Sequence, residues 1–115
     1  MTYKNLLLQP NNATISLTLL GQPVHIRRLS AQDMLDYSAQ IDDERTQGGN
    51  SAQLAKAGVA LIIRALVNAD GSRPDKADLP TPEAILQVHS QADIMQALTT
   101  VQRHSYGTLE EAEKN

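Results

Sequence analysis

The residues from Ala65 to Pro80, ALVNADGSRPDKADLP, gather Asn, Asp and Ser around a glycine, as calcium-binding loops do. The spacing rejects that chemistry. With Gly71 at the glycine position of an EF-hand loop, Asn68 and Asp70 fall on ligand positions, but the first ligand becomes Leu66 and the bidentate glutamate becomes Ala77. A hard cation needs six or more oxygens, and both ends of the set are missing. The segment reads instead as an Asp70-Gly71 turn that ends a helix, with the following prolines preventing its continuation.

Other chemistries fare no better. His25, His89 and His104 share no metal-ligand spacing, and the last two fall near predicted helix ends, where the helix dipole favours a protonated imidazole. No serine sits in a nucleophile elbow or a Ser-x-x-Lys setting. Asp33, Asp36, Asp42, Asp43 and Glu44 crowd one predicted helix and read as its solvated face. The run QGGNS lacks the lysine and the preceding strand of a phosphate loop. Without cysteine there is no disulfide, no zinc–thiolate site and no thiol nucleophile. The expectation is a non-enzymatic protein with no metal and no cofactor.

The elements that position these side chains follow from patterning. The chain has 115 residues, no Phe and no Trp, so Leu, Ile, Val, Ala and Met must build its core. One α+β domain, mostly helical, is expected over 1–107, with 108–115 a mobile charged tail. TISLTLL and PVHIRRL alternate and predict a β-hairpin over about 13–29, with Leu19 facing Val24 and Leu17 facing Ile26. Pro23 has no N–H to return to Leu20, which predicts a loosened turn about Gly21-Gln22. Leu6, Leu7 and Leu8 read as a first strand of the same sheet, or else as an arm that docks on a neighbour.

Three to four helices follow. Ser30 and Asp33 have capping spacing, and Leu29 and Met34 occupy the two positions of a hydrophobic staple, opening a helix over about 31–44 with Met34, Tyr37 and Ile41 on one stripe. AQLAKAGVALIIRALV predicts a central helix over about 52–68, packed on several sides. Gly58 within it implies a close neighbour, since glycine there costs about 1 kcal/mol relative to alanine. Thr81-Pro82 starts a helix over about 82–89. Ser90 and Asp93 start another over about 91–105, closed by Gly107, unless the two form one helix bent at Ser90.

Two binding readings compete. Residues 81–104 could form a helix-turn-helix, with Gln91, Gln96, Thr99, Gln102 and Arg103 reading bases. Arg103 is the one clear positive charge of that segment and the net charge is −3, which argues against nucleic acid and anionic lipid. Arg27-Arg28 reads as edge-strand charge that discourages aggregation, or as an electropositive spot for an acidic partner. Arg27, Arg28 and Tyr37 are the candidate partner-binding residues. The short apolar run near the N-terminus suits neither a signal peptide nor a membrane span, and a cytoplasmic protein is expected.

In order, ISLTLLGQPVHIRRLSAQDMLDYSAQ and ALIIRALVNADGSRP resemble the small tail assembly chaperones of long-tailed bacteriophages and prophages. The shared pattern is a hairpin leading to an Arg-x-Leu-Ser-x-x-Asp helix start, then a hydrophobic helix closing in an Asp-Gly turn. It spans about two thirds of the chain. The resemblance implies a protein that binds the tape-measure protein, keeps it soluble, helps tail-tube subunits assemble around it, and forms homo-oligomers. It also implies a place in the bacterial cytoplasm, absence from the mature virion, and a longer frameshifted form that diverges near EEAEKN. A DNA-binding regulator and a minor virion structural protein are the alternatives.

Overall fold

The computed structural model describes residues 2–9, 14–48 and 51–107, so the expected tail 108–115 lies outside the described residues. A short helix α1 (Tyr3–Leu7) precedes strands β1 (Ile15–Leu19) and β2 (Gln22–Ile26), helices α2 (Ala31–Thr46) and α3 (Ser51–Ala65), and strand β3 (Leu66–Val67). A 3-10 turn (Lys76–Asp78) and helices α4 (Pro82–Val88) and α5 (Gln91–Ser105) complete the chain. The architecture is α+β and mostly helical, as the patterning predicts.

Pro23 decides the hairpin register. β1 and β2 pair with Leu19 opposite Gln22, Leu17 opposite Val24 and Ile15 opposite Ile26. The loop is therefore Leu20-Gly21, a tight two-residue turn with both φ angles positive (53° and 81°), where a loosened turn one residue later was expected. In this register the pair flanking the turn is the hydrogen-bonded one, so Pro23 falls opposite Thr18 at a non-hydrogen-bonded position and its missing N–H is not needed. The pairing differs from expectation by two residues, so the apolar residues keep their common face. Leu20 adopts a left-handed conformation unusual for leucine, and its side chain packs against the core.

The third strand corrects two expectations. The sheet order is β1-β2-β3, and its third member comes from the end of the predicted central helix, not from Leu6–Leu8. α3 stops at Ala65, short of the expected 68, because β2 captures the next residues: Ile26 pairs with Leu66, His25 with Val67, and Arg27 N–H donates to the Ala65 carbonyl at 3.0 Å. The Asp70-Gly71 turn accordingly closes β3. Leu6 and Leu7 belong instead to a helix without a buried residue. β2 lies in the middle of the sheet, so Arg27 and Arg28 follow a central strand, not an edge.

The local start signals hold. Ser30 Oγ accepts from Asp33 N–H at 3.1 Å while the Asp33 carboxylate accepts from Ser30 N–H at 3.2 Å, and Leu29 and Met34 are both buried in the core. Ser90 Oγ accepts from Asp93 N–H, so α4 and α5 are separate helices. The core joins Leu19 and Ile26 of the hairpin to Leu61, Ile62 and Ala65 of α3 and Ala97, Leu98 and Val101 of α5. α2, α4 and α5 all pack against α3.

Gly58 brings α3 close to α5, since a Cβ there would lie 3.1 Å from Leu98 Cδ2. Leu98 also borders open space, described below, into which it can shift. Gly58→Ala should therefore leave the unfolding free energy within about 1 kcal/mol of wild type, the gain in helix propensity offsetting the tight contact. Urea titration of both proteins checks this.

Candidate functional site

On one side of α3 the packing leaves a groove of about 500 Å³. Tyr37, Ile41 and Arg45 of α2 line one wall, and Leu86 and His89 with Ile94 and Met95 line the other. Ser51, Ala52, Ala55 and Gly58 recur at helical spacing along α3 and keep the floor low, with Leu54 beside them. The lining is mainly apolar. Met95 is 53% exposed, a large apolar side chain left at the opening. Burial pushes the Tyr37 phenol above its ordinary pKa, opposed in part by the Arg45 charge. The hydroxyl is therefore neutral at physiological pH, a polar tip on an apolar wall.

Of the three candidate residues, only Tyr37 lines this groove. Arg27 and Arg28 are drawn into contacts elsewhere. Arg27 reaches the Arg64 carbonyl at 3.1 Å and the Asp33 carboxylate at 3.7 Å. Arg28 Nε donates to the His104 carbonyl at 3.0 Å, tying the end of α5 to the segment before α2. Arg64 also meets Asp33 at 3.7 Å. Arg73 donates to the carbonyls of Ile63 and Arg64, which α3 cannot bond internally in its last turn, and to that of Leu66 at the start of β3. Burial and the charges of Arg27 and Arg64 hold the Arg73 pKa below its ordinary value, with Asp33 acting the other way. These cations finish a helix and seam it to the sheet.

The Asx-rich loop is closed on itself. Gly71 N–H donates to the Asn68 carbonyl at 2.9 Å, and the Asp70 carboxylate accepts from both the backbone and the hydroxyl of Ser72. Those bonds lower the Asp70 pKa. No group of three His, Asp or Glu side chains among the described residues is arranged to hold a metal ion. His104 is fully buried near the end of α5, whereas His25 and His89 are partly exposed. α5 does turn Gln91, Gln96, Thr99 and Arg103 outward, while Ile94, Leu98 and Val101 face the core.

Sequence reasoning missed Arg45, Leu54, Leu86 and Met95 as lining residues. One local signal was present: Met95 is apolar yet lies off the Ile94, Leu98 and Val101 stripe.

Fold and groove together define a small, mostly helical α+β protein with an open apolar face between its helices. Residues 2–115 match the family described as phage tail assembly chaperone protein, TAC, and the chain belongs to that family. Its general role is therefore that of a chaperone in phage tail assembly. No curated protein and no solved structure matches it. No helix among the described residues is long and apolar enough to cross a membrane.

Proposed function

We propose that this chain acts without catalysis, binding the tape-measure protein and keeping it soluble until tail-tube subunits replace the chaperone. The groove supports this reading most directly. It is an apolar trough of about 500 Å³ between α2 and the α4–α5 pair, and an amphipathic helix can lay its apolar face into such a trough. Tyr37 and Met95 are the proposed anchors, since aromatic and methionine side chains contribute strongly to contact surfaces. Arg45 at the wall supplies a charge that a partner carboxylate would meet. Arg27 and Arg28 act in this reading mainly by holding the frame. A single domain over 1–107, self-association, action in the host cytoplasm and absence from the mature virion complete the proposal.

Co-expression with the long helical protein encoded beside it tests the reading, using a tag at Met1. The neighbour should become soluble and co-purify with several copies of this chain. Met95→Glu puts a charge into an apolar groove while leaving the core intact, and should reduce capture about tenfold or more. A neighbour that stays insoluble beside the wild-type chain would refute the proposal.

A further inference from the structure

The C-terminal end of α3 gathers more positive charge than its capping uses. Arg27 Nη2 and Arg73 Nη1 both donate to the Arg64 carbonyl, at 3.1 and 2.8 Å, so these nitrogens stand no more than about 6 Å apart. Arg27 and Arg64 also share Asp33, each with an Nη1 3.7 Å from a different carboxylate oxygen. Three guanidinium groups therefore crowd around one carboxylate. The helix C-terminus adds only about half a negative charge, which leaves an excess of about one and a half positive charges among these groups. Burial and then the charges of Arg27 and Arg64 lower the Arg73 pKa, against the opposing effect of Asp33, as an excess of cations requires.

Donors are left over as well. At 3.7 Å neither contact with Asp33 is a hydrogen bond. Arg27 Nε is buried and has no hydrogen-bond partner among the described residues. An unpaired buried donor is costly, and in a native structure it calls for an explanation. We propose that Arg27, Arg64 and Arg73 form a binding site for an oxyanion, a phosphate or a carboxylate group. The planar fork of a guanidinium matches the paired oxygens of either group. Arg64, with its side chain 46% exposed, forms the mouth of the site. Arg27, at 23%, forms an inner side where solvent screens charge less. Arg73 covers the carbonyls of Ile63, Arg64 and Leu66, which would otherwise repel an anion. Along α3 the site lies about 9 Å beyond Gly58, where the apolar groove ends. It stands apart from the capture proposed for that groove and does not rest on it.

Titration calorimetry of the full chain at constant ionic strength tests this, with inorganic phosphate and separately with a short oligoglutamate peptide. At least one probe should bind, one per chain. Arg64→Gln should weaken that binding about tenfold or more. Its side chain is half exposed, so circular dichroism should be unchanged. Asp33→Asn removes the competing negative charge, while its amide oxygen can still accept from Ser30 N–H, and should tighten binding about threefold. A cluster that only caps the helix would give neither change. The tighter-binding probe identifies the source of the oxyanion: a free phosphate, or the carboxylates of an acidic protein segment. A wild-type chain that binds neither probe overturns the proposal. Binding that Arg64→Gln leaves unchanged also overturns it.

Discussion

Ile26→Ala should lower the unfolding free energy by about 3 to 4 kcal/mol, within the range for large-to-small changes at fully buried sites. Ile26 is 0% exposed and sits on the central strand, with Ile15 of β1 on one side and Leu66 of β3 on the other. Its side chain belongs to the cluster that joins the sheet to α3 and α5. Backbone paired on both sides cannot move in to fill the space, so the lost contacts are compounded by a cavity. The expected loss is a large share of the roughly 5 to 15 kcal/mol that stabilises a typical domain. Ile15→Ala is the control, at a partly exposed position on an edge strand, and should cost about 1 kcal/mol. Urea denaturation of the three proteins measures the difference. Equal losses at the two positions would show that β2 is not the centre of the packing.

The second large effect concerns the loop that looks like a metal site. Gly71→Val should cost about 2 to 3 kcal/mol. Gly71 has φ +87°, where a β-branched residue is a steric outlier, and a Cβ would lie 3.3 Å from Thr14 Oγ1. The turn also carries the bonds from Gly71 N–H to the Asn68 carbonyl and from Ser72 N–H to the Asp70 carboxylate, which close the loop that follows β3. Gly71→Asn should be milder, because asparagine tolerates positive φ better than valine. Calcium should leave the melting temperature of the wild type unchanged. Thermal unfolding with and without the ion reads both effects, and a rise with calcium would restore the metal reading.

Much of the fold was legible because its signals are local. Ser30 with Asp33, Ser90 with Asp93 and Thr81 with Pro82 declare helix starts through spacings of one to three residues, and each cap forms. The apolar face of the hairpin survived an error of two in register because strand side chains alternate with period two. Gly58 declared a close neighbour, and Leu98 is that neighbour. The missed features all depend on partners distant in the chain. Leu66 and Val67 continue a helical run by composition, yet β2, some forty residues earlier, takes them into the sheet. Leu6 to Leu8 are apolar and suit a strand or an arm equally, until the opposite edge of β2 proves to be occupied by β3.

The candidate site divides in the same way. Tyr37 was legible because it lies on a helical stripe with Met34 and Ile41, and a stripe turns toward whatever the helix packs against. Arg27 and Arg28 look in the sequence like free charge. Their side chains instead end at carbonyls of Arg64 and His104, which only tertiary packing brings near. The groove has no local signature, since its width depends on how α2 and the α4–α5 pair lean on α3. The sequence by itself determined the helix starts, the apolar faces, the turn at Asp70-Gly71 and the absence of cysteine chemistry, all of them consequences of residue type and short-range spacing. The tertiary structure alone decided where α3 gives way to a strand, which arginines are engaged and which apolar residues stay open, because long-range backbone pairing and helix packing choose among faces that the local pattern leaves equivalent.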